Sequence, residues 1–223
     1  MLLILKKIKK KLKFFIHNYF YPYTALNNLD KKLNKYLDYN HGYFLEIGAN
    51  DGISQSNTFF FEKKKKWKGI LIESNKSKYL ECKKNRSIKN KFYNATCVSK
   101  NYKKKYIKMY YADLMTSALK NKLPEKSYHK HFDKDKSYIY KVIPKTLDYI
   151  LRKAKSPKVI DLFSLDVEGY EMEVLNGINF KMHNFKYILV ETNQIKKIKS
   201  FLKSKNYNFI KKMSYHDYLF KFV

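Results

Sequence analysis

FLEIGANDGISQSNTFFFEKKKKWKGILIES, residues 44–74, contains the most informative pattern of the sequence for predicting its structure. An apolar run ends in Glu46, a short turn follows between Gly48 and Gly52, and a second apolar run ends in Glu73. Apolar runs separated by a helical segment are typical of parallel strands joined by a crossover helix. Glycines let the backbone of the turn approach a ligand closely. The stretch therefore predicts strand, turn, helix and strand, with an acid at each strand end.

The alternation of strand and helix extends beyond this stretch. Short apolar runs predict four strands, at Tyr43–Ile47, Gly69–Ile72, Phe163–Val167 and Tyr187–Val190. Helical spacing predicts four helices, at Ser56–Lys65, Ser77–Arg86, Thr146–Ala154 and Tyr170–Asn176. Alternating strands and helices form mostly parallel sheets that are covered on both faces. We therefore predict an α/β fold with a mostly parallel, doubly wound sheet and helices on both faces.

The length of the chain, 223 residues, fits one α/β domain with a complete core. We assign that domain to residues 41–223 and interpret residues 1–40 as a basic, amphipathic helical segment. Apolar residues recur there at helical spacing, at Leu5, Ile8, Leu12 and Phe15 and again at Leu26, Leu29, Leu33 and Leu37. The first pattern has lysines between its apolar residues. It fits either a helix on an acidic membrane surface or a helix packed on the domain.

The chain is strongly basic. Lys and Arg number 48 against 19 Asp and Glu, which gives a formal net charge of +29. A hydrophobic content of 44% excludes a disordered chain. The charge favours polyanionic partners such as nucleic acid, anionic glycans or anionic lipid head groups. It also fits compositional drift, because Lys, Asn, Tyr, Ile and Phe are all abundant. Both interpretations stay open at this point.

Cysteine usage and hydropathy indicate the compartment. Cys82 and Cys97 form neither a C-x-x-C motif nor a disulfide framework, which is typical of a reducing compartment. The apolar run before Lys6 is much shorter than the ~20 residues of a membrane span. We expect a cytoplasmic protein, in peripheral contact with an anionic membrane if the N-terminal helix binds there. The oligomeric state is not predicted.

A polar interval from Ala112 to Lys145 interrupts the alternation and predicts a long loop or lid. It contains His129, His131 and Asp133, which have the residue types of a metal tripod. A solvated, lysine-rich segment explains this cluster better. The spacing of Asp166, Glu191 and Asn193 permits Mg²⁺ without requiring it. We therefore predict no metal site.

The turn after the first strand distinguishes two cofactors. A dinucleotide site needs G-x-G-x-x-G, whereas this turn has E-x-G-x-x-x-G with Asn50 in place of the middle glycine. An acid beside the turn suits a cation and opposes a pyrophosphate. Glu73, 21 residues beyond Gly52, can accept hydrogen bonds from both hydroxyls of a ribose. S-adenosylmethionine, with its amino-acid tail, sulfonium and ribose, fits these features better than a dinucleotide.

Three blocks, residues 44–74, FSLDVEGYEMEVLNGINF (163–180) and ILVET (188–192), closely resemble the FkbM-like family of methyltransferases. The resemblance extends over residues 40–220. It implies a Rossmann-like class I methyltransferase fold, S-adenosylmethionine as methyl donor, and usually O-methylation of sugar-bearing or polyketide hydroxyls. It also implies a cofactor site and a reaction centre. The cofactor residues are Glu46, Gly48, Asn50, Asp51, Gly52, Ser56 and Glu73, with Ser74 beside them, and the reaction centre is Asp166, Glu168 and Gly169.

Candidate catalytic groups cluster at predicted strand ends. Asp166 and Glu168 follow a buried strand, where an acid could orient the acceptor, accept its proton or hold the methionine amine. The alternative is that either acid caps the next helix. Glu191 closes another buried strand, where a charge is costly unless it is paired or used. His216, beside Asp217, is a further candidate general base, although such a pair is commonly structural.

Three functions follow from these predictions. The first is S-adenosylmethionine-dependent O-methylation of a hydroxyl on a glycan or other small-molecule acceptor. The second is RNA ribose methylation, which the positive charge favours. Against it, the segment ETNQIKK (191–197) has an acid and amides where a catalytic lysine would be expected. The third is a non-enzymatic basic binding module, which the intact acids at the strand ends oppose.

Overall fold

The computed structural model of the chain describes residues 23–111, 116–119 and 138–223. The predicted amphipathic helix through Leu5 and Phe15 lies outside the described residues, as does the cluster of His129, His131 and Asp133. Helices within the described ranges are all too short or too polar to cross a bilayer.

Eleven strands are described. They are β1 (Tyr43–Ile47), β2 (Lys68–Glu73), β3 (Lys91–Asn94), β4 (Thr96–Val98), β5 (Ile107–Tyr111), β6 (Tyr138–Val142), β7 (Pro144–Thr146), β8 (Val159–Leu165), β9 (Asn184–Glu191), β10 (Tyr207–Lys212) and β11 (Asp217–Phe222). Seven of them form one sheet in the order β10-β11-β9-β8-β1-β2-β3. The strands from β9 to β3 in this order run parallel, and β11 is antiparallel to both of its neighbours. The predicted mostly parallel sheet is therefore confirmed.

Within the described ranges, six α-helices cover this sheet. They are α1 (Leu29–Asn34), α2 (Phe59–Lys65), α3 (Lys76–Asn85), α4 (Leu147–Lys153), α5 (Glu171–Asn176) and α6 (Ile195–Lys203). Side chains alternate between the two faces of each strand, so each face has its own core. Leu45 and Ile47 of β1 belong to the core that α4, α5 and α6 cover. Phe44 belongs to the opposite core, which α1, α2 and α3 cover. Helices thus pack on both faces.

Several predicted boundaries differ from the structure. The helix predicted at Ser56–Lys65 begins at Phe59, because the polar side chains before it bond to Glu46 instead of continuing the helix. The strand predicted at Phe163–Val167 ends at Leu165, so Asp166 and Glu168 lie in the following loop. The other predicted strands and helices of the sheet are present with ends shifted by at most three residues.

The leucine pattern from Leu26 to Leu37 predicts one helix, and the structure corrects this prediction. Only Leu29–Asn34 is α-helical, because Asn27 and Asn28 have positive φ values of 54° and 55° that break the helix. Leu37 is still fully buried in the core beneath α1.

The polar interval from Ala112 to Lys145 is also corrected, at its C-terminal end. Residues Tyr138–Val142 form β6, which pairs antiparallel with β5. Residues Pro144–Thr146 form β7, which pairs with β4. We name β5 and β6 the hairpin. A small core of Val98, Ile107, Met109 and Val142 lies beneath it.

Both cysteines are buried as free thiols. Cys82, on α3, packs in the core on that face of the sheet, and Cys97, on β4, packs in the core on the opposite face. Burial raises the pKa of each thiol to about 12. Neither side chain is a nucleophile at neutral pH.

Candidate active site

The turn after β1 lies at the carboxyl end of the parallel strands. The backbone N–H groups of Gly48 and Ala49 both donate to the carbonyl of Ile72 at the end of β2, at 3.1 Å. Gly48 has φ +86°, and a Cβ there would lie 2.0 Å from the backbone oxygen of Asp166. Only glycine fits this approach, because the turn packs directly on the end of β8. Gly48 is also exposed, so its backbone is open to a ligand.

Asp51 holds the second half of this turn. Its carboxylate accepts from the backbone N–H groups of Ile53 and Ser54 at 2.8 and 2.7 Å. The Ser54 hydroxyl donates to the other carboxylate oxygen at 2.7 Å. Gly52, at φ +83°, follows it. Asp51 therefore shapes the loop through local hydrogen bonds.

Glu73 connects the end of β2 to the turn. Its Oε2 accepts from the N–H of Asn50 at 2.9 Å, and its Oε1 accepts from the N–H of Asn75 at 2.7 Å. Ser74 donates weakly to the same Oε1, at 3.4 Å. Burial raises the pKa of Glu73 above its usual value. A carboxylate has about four acceptor positions, and the bonds from the described residues fill only some of them. Oε2 can therefore also accept a hydrogen bond from a ligand hydroxyl.

Glu46 lies in a buried polar network beneath the turn. The hydroxyls of Ser56 and Thr58 donate to its carboxylate at 2.9 and 2.6 Å, and the N–H of Asn57 donates at 3.0 Å. Arg86 approaches its Oε2 at 3.4 Å. These bonds occupy the acceptor positions of a side chain that is 4% exposed. The geometry favours a supporting role for Glu46 and Ser56 over the direct cofactor contact that the sequence predicts.

Arg86 is the centre of this network and was not among the residues predicted from the sequence. Its Nε donates to Glu62 at 2.7 Å, and its Nη groups donate to the Gly52 carbonyl and the Thr58 hydroxyl, each at 2.9 Å. Burial alone would raise the pKa of Glu62, but the Arg86 charge and hydrogen bonds lower it below its usual value. A signal was present, because the chain has only two arginines among 48 basic residues.

Three carboxylates converge at the ends of β8 and β9. Oxygens of Asp166, Glu168 and Glu191 lie within 4.8 Å of one another. Burial first, and then the neighbouring charges of Glu191 and Glu168, raise the pKa of Asp166 well above its usual value. Burial and the charge of Asp217 raise the pKa of Glu191 to about 7, although a hydrogen bond to Asp166 opposes this shift. We name these three residues the acid cluster.

The acid cluster can share one proton at neutral pH, because like charges this close resist full ionisation. Three carboxylates at this spacing also have the chemistry to hold a divalent cation. The sequence pattern placed Asn193 beside Asp166 and Glu191 as a third ligand, whereas the structure brings Glu168 to this position.

The loop that carries Glu168 is held from two sides. Glu168 has φ +51° and Gly169 has φ +95°. The buried hydroxyl of Ser117 donates to the carbonyl of Glu168 at 2.8 Å. On the other side, Glu171 accepts from the N–H of Gly169 at 2.6 Å and from the Thr192 hydroxyl at 3.3 Å. Ser117 and Glu171 were likewise not among the residues predicted from the sequence.

His216 directly precedes β11, near the ends of β8 and β9. Its carbonyl accepts from the N–H of Thr192 at 2.8 Å, whereas its side chain is exposed. Asp217 is buried and lies opposite Glu191 in the strand register. Burial raises the pKa of Asp217. The structure thus brings Asp217, and not the imidazole of His216, against the acid cluster.

The hairpin contacts the part of the site around Glu73, at the end of β2. The Tyr140 hydroxyl lies 2.8 Å from the Ser74 hydroxyl, and the Asn75 side-chain amide donates to the Tyr138 hydroxyl at 2.7 Å. Burial raises the pKa of Tyr140 well above its usual value. These tyrosines gave no signal in the sequence, because the chain has 21 of them.

Comparison with known protein families identifies one family over most of the chain. Residues 46–218 match the family described as Methyltransferase FkbM domain. The match covers more than half of the chain and includes the turn, Glu73 and the whole acid cluster. No curated protein matches the chain.

Proposed function

This chain belongs to the FkbM methyltransferase family, and we propose that it is an S-adenosylmethionine-dependent O-methyltransferase of a glycan or related hydroxyl-bearing acceptor. The observation that carries the proposal is the acid cluster, which adjoins the turn at Gly48. The strand order, with β11 antiparallel at one side, also supports the finer assignment to the Rossmann-like, doubly wound class I fold.

The residues present fit the cofactor. Glu73 has acceptor capacity for ribose hydroxyls, and the exposed backbone at Gly48 allows close approach of the amino-acid tail. The half-buried acid cluster offers negative charge to a sulfonium and an ammonium. When bound, S-adenosylmethionine supplies an electrophilic methyl group on a positively charged sulfur.

The acid cluster provides a proton acceptor. Methyl transfer forms a bond between the acceptor oxygen and the methyl carbon, breaks the carbon–sulfur bond, and releases the hydroxyl proton. Asp166 and Glu191 are hydrogen-bonded, and the pKa of Glu191 is about 7. A group with a pKa near neutrality is suited to act as a general base under these conditions. We assign the proton to this pair, with Glu168 beside it to orient the acceptor.

The charge of the site favours a neutral acceptor. Glu171 and Asp217 lie close to the acid cluster, and their charges raise the pKa of Asp166. A phosphate group would be repelled there, although the surface of the +29 chain attracts polyanions. A sugar hydroxyl without phosphate fits this edge better than an RNA ribose flanked by phosphodiesters. RNA ribose methylation is the second candidate, and the surface charge alone favours it.

Labelled methyl transfer tests the proposal. The protein is incubated with methyl-labelled S-adenosylmethionine and separated glycan, RNA and protein fractions from cells. We expect label in the glycan fraction. Label in RNA would support the second candidate, and absence of both transfer and cofactor binding would support a non-enzymatic basic module.

Two variants test the site itself. Glu73→Ala is expected to weaken S-adenosylhomocysteine binding tenfold or more, through the loss of charge-assisted hydrogen bonds, on the order of 1.5–3 kcal/mol. The matched control is Glu81→Ala, at an exposed acid on α3. Asp166→Asn is expected to keep binding within a few-fold and to lower turnover by ~10²–10⁴. Unchanged affinity in Glu73→Ala would remove Glu73 from the site.

A further inference from the structure

The hairpin is fixed to the end of β2 by two tyrosine hydroxyls. Tyr140 bonds to Ser74 and Tyr138 bonds to Asn75, the two residues that directly follow Glu73. The contacts are long-range, joining positions 66 and 63 residues apart in the chain. They place the paired ends of β5 and β6, Tyr111 and Tyr138, beside the acid that we assign to the ribose.

This end of the hairpin presents an aromatic face. The rings of Tyr111 and Tyr138 are stacked, with centroids 4.6 Å apart and an interplanar angle of 23°. The ring of Tyr140 is tilted against Tyr138 at 5.8 Å. Tyr138 is nevertheless 48% exposed. A large aromatic ring that packs against a neighbouring ring and is still about half exposed is suited to stacking against a planar ligand.

We propose that the hairpin forms the adenine-binding wall of the cofactor site, with Tyr138 as the stacking residue. The inference rests on the proposed function, because that function implies a nucleoside at Glu73. In a nucleoside the base is bonded to C1′, next to the carbon that bears the 2′-hydroxyl. A ribose held by Glu73 therefore directs its base to the residues around Ser74 and Asn75, which the hairpin covers.

The ring and the hydroxyl of Tyr138 have separate roles in this arrangement. The ring supplies the stacking face. The hydroxyl bonds to Asn75, whose own N–H donates to Glu73, so it positions the carboxylate indirectly. Tyr140 has the same indirect role through Ser74, which donates to the same carboxylate. Substitutions that remove the ring and substitutions that remove only the hydroxyl should therefore have different effects.

Calorimetric titration with S-adenosylhomocysteine tests the inference on the full chain. Tyr138→Leu removes the ring but keeps an apolar side chain suited to a strand, and we expect a loss of affinity of about tenfold, as for one base–aromatic stack. Tyr138→Phe keeps the ring and is expected to stay within about threefold of the wild type. Tyr106→Leu is the control, because Tyr106 is also exposed but lies at the opposite end of the hairpin.

S-ribosylhomocysteine, the same ligand without the base, sharpens the test. Its affinity for Tyr138→Leu should stay within about threefold of the wild type, the change expected from losing the hydroxyl alone, since the lost stacking contact is to adenine. Equal losses for both ligands would overturn the stacking assignment. Tyr138→Trp gives a second measure that does not depend on a truncated side chain, and an affinity as low as that of Tyr138→Leu would also overturn it.

The two proposals fail in different ways. If the wild type binds S-adenosylhomocysteine and Tyr138→Leu binds it equally well, the adenine wall is wrong and the proposed function stands. If the wild type binds neither S-adenosylhomocysteine nor S-adenosylmethionine, the proposed function is overturned and this inference with it.

Discussion

Arg86 differs from Arg152, the other arginine of the chain, in that its side chain is completely buried. It donates to two carboxylates, two hydroxyls and a carbonyl beneath the turn. A lysine at this position would keep the charge but could not donate in so many fixed directions, because its three donors sit on one nitrogen.

We therefore expect Arg86→Lys to lower the free energy of unfolding by about 2 kcal/mol or more, since buried acceptors would lose their donors. Arg152→Lys is the matched control, because that side chain is 58% exposed and pairs with Asp148 one helical turn away. It should change stability by less than about 0.5 kcal/mol. Urea denaturation measures both. Equal effects would mean that the buried network tolerates a point charge.

The raised pKa of Glu191 predicts an unusual dependence of stability on pH. Its pKa is about 7 in the folded protein against an ordinary value of 4.5, so the folded state binds more protons than the unfolded state between these values. The free energy of unfolding therefore falls as pH rises through this window, and above pH 7 this loss is complete.

Glu191→Gln removes that cost, so we expect the variant to be more stable than the wild type at pH 8, by on the order of 1–3 kcal/mol. The difference should shrink towards zero as pH falls to 5. Thermal or urea unfolding across this range measures it. Glu81→Gln, at the exposed acid on α3, should give no such gain, and a gain in Glu191→Gln that is independent of pH would contradict the assignment.

The turn between β1 and α2 is the element on which the site depends. Gly48 and Gly52 share positive φ values, near +86° and +83°, but differ in their surroundings. A Cβ at Gly48 would meet the backbone oxygen of Asp166 at 2.0 Å, whereas a Cβ at Gly52 would first meet side-chain atoms of Arg86 and Cys82, at 2.8 and 2.9 Å. Backbone cannot move aside as a side chain can.

We expect Gly48→Ala to weaken S-adenosylhomocysteine binding much more than Gly52→Ala, because only the former displaces the end of β8 with its acid cluster. Both variants carry the same cost of positive φ, about 1 kcal/mol, so their difference isolates the backbone contact. Calorimetry and thermal unfolding of both proteins give the comparison. Equal losses of affinity would show that conformation alone matters.

Local pattern explains which elements the sequence predicts well. The strands at Tyr43–Ile47 and Tyr187–Val190 are apolar runs that any sheet must bury, and acids at their ends stand out. The start of α2 could not be placed in this way, since the bonds from Ser56 and Thr58 to Glu46 join residues ten or more apart. The loop prediction for Ala112–Lys145 missed β6, whose pairing with β5 spans an even longer separation.

The same limit applies to the candidate site. Glu73, Asp166 and Glu191 follow apolar runs, so their positions could be predicted from the sequence alone. Ser117 and Tyr138 could not, because each reaches the site across a long separation in the chain, and no periodicity marks a single hydroxyl or ring.

The net charge of the chain and the charge of its site have opposite signs. Lysines make the chain +29, whereas carboxylates of the acid cluster, Glu171 and Asp217 meet at one edge of the sheet. Attraction of the surface to an anionic partner therefore does not imply that the partner enters the site.

Removal of residues 1–22 tests a membrane role. It deletes six lysines and the apolar stripe but keeps Tyr23, whose ring stacks on Phe60 at 4.5 Å. We expect the truncated protein to keep its unfolding temperature and its S-adenosylhomocysteine affinity. It should lose sedimentation with phosphatidylserine-containing vesicles, because each lysine near such a surface contributes about 1 kcal/mol.

Salt should mimic this truncation, since surface attraction is screened within about 8–10 Å. Vesicles of phosphatidylcholine alone are the control and should bind neither protein. An insoluble truncated protein would indicate that these residues pack on the domain. Full-length protein that ignores the vesicles but binds RNA with a steep salt dependence would favour the RNA candidate.

The two inert thiols make the protein a clean background for site-directed labelling. Cys82 and Cys97 are the only cysteines of the chain, and with pKa values of about 12 they react slowly with maleimides. A cysteine introduced at Ile88, which is 94% exposed and lies between α3 and β3, would be the single reactive position. A fluorophore attached there lies near the amino-terminal end of β3, whereas the acid cluster lies at the carboxyl ends of the strands. Its anisotropy could follow association with vesicles, RNA or a glycan in one preparation, without modification of any lysine.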